Sequence, residues 1–160
     1  MRKPKDYIMK TDYLIILMAL LLIFIVSPIA AADSFDFDIP YGYHIENASD
    51  DFVLLENEDY YSISISIMDN STDRKTLMDM LERHRCYDFR NGDNYTKGDF
   101  YVVEKPYYQE FQVGILYFCE NGRDLVVIDY KGPLGMDLNN SPIDGILDSF
   151  VFVEENRCIS

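Results

Sequence analysis

The 160-residue sequence is short of positive charge and of histidine. Fourteen lysines and arginines stand against 28 aspartates and glutamates, with two histidines, three cysteines and no tryptophan. So acidic a chain repels nucleic-acid phosphates and anionic lipid, which argues against both as partners. No G-x-S-x-G, H-E-x-x-H, C-x-x-C, P-loop or dinucleotide fingerprint occurs in it, so the chemistries those motifs carry lack their residues. His84 falls on the apolar stripe of a predicted helix and reads as a half-buried packing residue rather than a base. His84 and Cys86 are two positions apart, about 200° around a helix, and can share a metal only if the helix ends there.

A long hydrophobic run is present at Leu14–Val26, after Arg2, Lys3, Lys5 and Lys10. A basic stretch followed by an apolar one is the pattern of a secretory leader. Ser27-Pro28 then breaks the run, and Ala30-Ala31-Ala32 supplies the small residues that place cleavage between Ala32 and Asp33. The rival reading is an uncleaved anchor, because Leu14–Ala32 as a helix spans about 28 Å, close to a hydrocarbon core. Both put residues 33–160 outside the cytoplasm, since the lysines stay inside. The expected organisation is therefore a leader or anchor over 1–32 and one domain over 33–160. That domain has 10 basic and 26 acidic residues, a net charge of −16.

Within the exported part, Phe35, Phe37 and Ile39 alternate with polar residues, predicting an opening strand, and Pro40-Tyr41-Gly42 supplies a turn. Tyr43, Ile45 and Phe52–Leu55 continue a meander. Tyr61–Met68 alternates throughout and predicts a strand with Tyr61, Ile63, Ile65 and Ile67 on one face. A helix is expected over about Thr72–Cys86, with Leu77, Met80, Leu81 and His84 inward. A polar loop follows over 87–99, then a strand at Phe100–Lys105. Phe111–Cys119 and Asp124–Tyr130 flank Asn121-Gly122, the preferred pair for a type I′ hairpin, which sets Glu120 opposite Arg123 and Phe118 opposite Leu125. Both faces of this hairpin are apolar, so it belongs at the sheet centre. Ser141-Pro142-Ile143-Asp144 fits a capping box opening a short helix that runs into a terminal strand at Phe150–Val153.

The stretches "FDFDIPYGY", "YSISISIM", "QVGILYFCENGRDLVVIDY" and "IDGILDSFVF", in this order, resemble the PsbP-like superfamily over about residues 34–153. That superfamily includes the extrinsic oxygen-evolving subunit of photosystems, a Ran-binding import regulator, and small exported proteins of methanogenic archaea. The resemblance implies an α+β fold, an antiparallel β-sheet flanked by helices in an α/β/α sandwich, preceded here by the hydrophobic leader. It also implies a noncatalytic binding or assembly role. The family's frequent Pro-x-Gly-Trp is replaced by Pro40-Tyr41-Gly42-Tyr43.

Cys86, Cys119 and Cys158 all fall in the exported part, where disulfides form, and an odd count allows one internal bridge among three pairings or a disulfide-linked dimer. Asn47, Asn70, Asn94 and Asn139 head N-x-S/T sequons in predicted loops and are candidate glycosylation sites. Asp69-Asn70-Ser71-Thr72-Asp73 resembles the start of a calcium loop. Arg74 replaces its glycine and Met80 its bidentate glutamate, so helix capping is the better reading, weak calcium binding the remainder, and no cofactor is expected. Turn-borne tyrosines 41, 43, 60, 61, 95, 107 and 108 suit a recognition surface or half-buried packing at strand ends. The function expected is a noncatalytic extracytoplasmic binding or accessory protein of the cell envelope, acting on a protein or envelope component. The competing expectation is a small exported hydrolase or calcium-dependent enzyme using surface carboxylates.

Overall fold

The computed structural model describes residues 34–68, 72–83 and 87–153, which form ten strands and two helices. In chain order these are β1 (Phe35–Asp36), β2 (Tyr43–Ser49), β3 (Phe52–Asn57), β4 (Ser62–Met68), α1 (Arg74–Arg83), β5 (Asp88–Phe89), β6 (Asn94–Lys97), β7 (Phe100–Tyr108), β8 (Gln112–Glu120), β9 (Leu125–Pro133), α2 (Ile143–Ser149) and β10 (Val151–Phe152). One eight-stranded antiparallel sheet runs β2-β3-β4-β9-β8-β7-β5, with β6 also pairing β7, while β1 and β10 form a separate two-stranded pair. The fold is a sheet-dominated α+β arrangement.

Apolar patterning explains the strand order. β8 and β9 carry apolar side chains on both faces and lie at the centre. β4 has one apolar face, on which Ile63 and Ile65 are fully buried while its serines take the other. One core packs Val53, Ile63, Ile65, Val102, Tyr117 and Val126 beneath α2 residues Ile143, Ile146 and Leu147. On the other face a smaller core joins Val103, Tyr107, Leu116, Phe118 and Leu125 to Leu77 of α1.

Several expectations change. The opening strand is only two residues long, and Ile39 is exposed. Asp38 instead gives its N–H to Ser149 Oγ at 2.9 Å, while Phe35 and Phe37 stack on Phe150. α1 starts at Arg74, two residues later than predicted, and turns Met80 to solvent, with Met78 and Leu81 packing beside Leu77; the expected end at Cys86 lies outside the described residues. The segment 87–99 holds two short edge strands, which polarity hid, and β7 extends to Tyr108.

The central hairpin pairs Glu120 with Leu125 and Phe118 with Val127, a register two residues longer than expected. The Asn121 carboxamide accepts the N–H groups of Arg123 and Asp124, and positive φ occurs at Gly122 but not at Asn121, so the reversal centres on Gly122-Arg123. A shift of two preserves which side chains share a face, so the core survives the error. At α2 the helix starts at Ile143, with Pro142 in the cap position and no side-chain cap bond. Ser141 Oγ is instead shared between the Tyr117 hydroxyl at 2.9 Å and the Ile143 N–H at 3.3 Å.

Candidate functional site

The antiparallel register brings together residues far apart in sequence. β2, β4 and β8 begin, and β3, β7 and β9 end, at the same edge of the sheet, as the pairs Tyr43–Asn57, Ser62–Lys131, Gln112–Pro133 and Tyr108–Val113 fix. Tyr41 precedes β2, Tyr60 lies in the β3–β4 turn, Phe111 in the β7–β8 turn, and Leu134 follows β9. These are the four most exposed large apolar side chains among the described residues, at 104%, 86%, 74% and 56%. Tyr108, also exposed, stands beside them with Arg90 over its ring at 5.6 Å. We call this the tyrosine end. The opposite end carries the exposed turn residues Asp50, Asp51 and Asp99. Ser34, whose hydroxyl donates to the Asp50 carbonyl, lies there too.

Tyr60 is held in an unusual way. Asn57 and Tyr61 close a three-residue loop, the Asn57 carboxamide accepts the N–H groups of Asp59 and Tyr61, and the Tyr60 N–H reaches the Asn57 carbonyl at 3.3 Å. Such loops put a left-handed residue, usually glycine, in the third place. Here Tyr60 takes it with φ 64°, the one positive-φ residue other than glycine among those described.

Of the tyrosines expected at a recognition surface, Tyr41, Tyr60 and Tyr108 are exposed. Tyr43, Tyr61 and Tyr95 are half-buried: Tyr43 and Tyr130 share a hydroxyl hydrogen bond, Tyr61 packs edge-on to Tyr130, and Tyr95 bonds Glu104. Tyr107 is fully buried. Phe111 was not legible as a surface residue, because it opens an apolar run and reads as core, and Leu134, beyond the expected strand, carried no signal.

A cleft of about 460 Å³ opens between β7, β8 and the segment before α2. Asp93, Glu104, Asn139, Ser141 and Asp144 line it above Tyr117. Burial pushes the Glu104 carboxyl above the usual range, opposed by the Tyr95 hydrogen bond and reinforced by Asp93 and Asp144. Lys97 sits at the rim, 2.9 Å from Asp148 and 3.9 Å from Asp144.

On the opposite face, the Tyr107 ring crosses β8 over Gly114, where a side chain would meet its hydroxyl, and donates to Asp129 Oδ1 at 2.7 Å. Lys131 approaches the other oxygen at 3.6 Å. Asp129 is the buried charged residue of the described chain, and burial raises its carboxyl pKa against the Tyr107 and Lys131 contributions. Tyr87 and Phe89 pack edge-on to Tyr107. This network holds the two-residue strand β5 to the sheet.

Cys119 is a free, fully buried thiol in the larger core, pushed up to about 12 by burial and then by Glu104. We expect it to resist alkylation in the folded protein and to react only on unfolding, and rapid labelling of the native chain would contradict that placement. Cys86 and Cys158 lie outside the described residues, as do His84, Asn70, Ala32 and Asp33. Asn47 and Asn94 are exposed but lie in β2 and β6 rather than in loops, and Asn139 is exposed in a turn. Of the calcium-like segment, Thr72 and Asp73 are described, and Asp73 accepts the Thr76 N–H at 3.0 Å as the cap of α1. No cluster of metal ligands occurs among the described residues, and no described helix is long and apolar enough to cross a membrane.

No protein-family model matches the chain, and no curated protein is significantly similar to it. A solved structure from Bacteroides thetaiotaomicron is similar in fold, with a TM-score of 0.52 at 12% identity. The match covers 79% of this chain and 48% of that one, so this chain spans about half its length.

Proposed function

We propose that this chain is a noncatalytic extracytoplasmic binding or accessory protein of the cell envelope, a PsbP-like domain that meets a partner protein through its tyrosine end. The observation that carries the reading is the gathering of Tyr41, Tyr60, Phe111 and Leu134 at one sheet end. Scattered exposed apolar residues need no explanation, but a row of exposed rings on fixed turns is the composition of an interface core. The leader pattern and the net charge of the exported part suit work outside the cytoplasm.

The competing reading, an exported hydrolase using carboxylates, finds its nearest support in the cleft, where Glu104 is raised as a general acid would be. One experiment separates the two. The full chain and its Tyr41→Ser/Phe111→Ser variant are compared for retention on native envelope fractions and screened on glycan and peptide substrates. Retention that falls about tenfold or more in the variant, with no turnover, is the expected result. Turnover that persists in the variant would overturn the binding reading.

A further inference from the structure

We infer that the tyrosine end docks a protein surface carrying lysine or arginine side chains, with Tyr60 as the anchoring ring; this rests on the reading of that end as the binding surface. The first support is conformational. Tyr60 occupies the loop position that glycine fills without strain, at φ 64°, and a bulky residue there costs stability. Its ring is exposed and has no aromatic or cation–π partner among the described residues, so nothing in the described fold repays that cost. A backbone held in a disfavoured state to present an unused ring outward points to a partner that uses it.

The second support is charge. Glu58 and Asp59 directly precede Tyr60, and Glu110 directly precedes Phe111; all three are exposed, and none enters an ion pair among the described residues. Docking a neutral or acidic surface would bury these carboxylates without compensation. Anionic lipid would repel them. A surface with cations beside apolar hollows satisfies rings and carboxylates together, and guanidinium groups also stack on tyrosine, as Arg90 does on Tyr108. The two hairpin tips are three strand positions apart, a separation of about 14 Å, which lets one partner surface engage both.

The test measures binding of the full chain to immobilised synthetic peptides matched in apolar content but cationic, neutral or anionic, and to zwitterionic vesicles. We expect the cationic peptides to bind about tenfold more tightly than the neutral ones, with the advantage falling as salt rises. Tyr60→Gly should abolish most of that binding while raising the thermal midpoint by a few degrees. Dependence on Tyr60 and Phe111 without charge preference, or with vesicles bound as well as peptides, would overturn the basic-protein inference and leave the end as the binding surface. Binding of every probe unchanged by Tyr60→Gly and Phe111→Ser would overturn both. A midpoint lowered by Tyr60→Gly would show that the ring serves the fold and would overturn its role as anchor.

Discussion

Gly114→Ala is expected to destabilise the domain by about 3 kcal/mol, because it overpacks a site where the core has no slack and breaks a buried hydrogen bond. A Cβ at this position would lie 2.6 Å from both the Tyr107 hydroxyl and the Tyr130 carbonyl oxygen. The carbonyl belongs to the central strand β9, opposite Ile115 in the ladder, and cannot move without disturbing that pairing. The ring must therefore lift, releasing the Tyr107–Asp129 bond and the edge-on packing of Tyr87 and Phe89. Tyr107→Phe keeps the ring carbon Cζ, 2.7 Å from the added Cβ, but has no Asp129 bond left to release, so the glycine substitution should cost about 1 kcal/mol less in that background. Urea unfolding of the two single variants and the double variant measures this coupling, and strictly additive losses would show that a side chain at position 114 does not release the Tyr107–Asp129 bond.

The second large effect concerns Asp129. Its folded carboxyl pKa is raised above its unfolded value, chiefly by burial. The folded state thus holds the proton more firmly, and the stability this contributes is fully present below the unfolded pKa of about 4 and is lost as pH rises through the folded pKa. Asp129→Asn keeps an acceptor for the Tyr107 hydroxyl without the buried charge, so it should be at least as stable as the wild type at neutral pH. It should also lack the decline between pH about 4 and the raised value, seen as a difference between the two stability–pH curves. Asp129→Ala leaves the hydroxyl buried without an acceptor and is expected to lose about 1–3 kcal/mol. Parallel curves for wild type and Asp129→Asn would refute the assignment of Asp129 as a raised buried acid.

What was legible in the sequence followed from local periodicity. The alternation in β4 and the two-faced apolar runs of β8 and β9 gave both their faces and their central place, since burial on one side or both is written directly into period two. The short strands β5 and β6 were hidden because edge strands carry polar residues and gain their pairing from β7, not from their own pattern. The hairpin register slipped because the Asn121 side chain, rather than its backbone, organises the turn.

The tyrosine end could be read only in part. Tyr41 and Tyr60 sit in recognisable turns, but their placement beside Phe111 and Leu134 is a product of strand order, which leaves only β3 and β4 between β2, which follows Tyr41, and β9, which precedes Leu134. Nor does a local signal mark the Tyr107–Asp129 bond, because it depends on a glycine on a third strand leaving room for the ring. Contacts of that kind are set by topology, and the sequence shows them only once the sheet is known.

The central claim, that the tyrosine end is the working surface, is tested most directly by site-specific photo-cross-linking of the full chain in cells of its native host. A photoreactive phenylalanine analogue is placed in turn at Tyr60 and Phe111, and at Asp99 and Arg123 of the opposite end. The account predicts a discrete protein adduct from positions 60 and 111, competed away by unlabelled wild type and not by the Tyr41→Ser/Phe111→Ser variant, with none from positions 99 and 123. Adducts from the opposite end alone would contradict it.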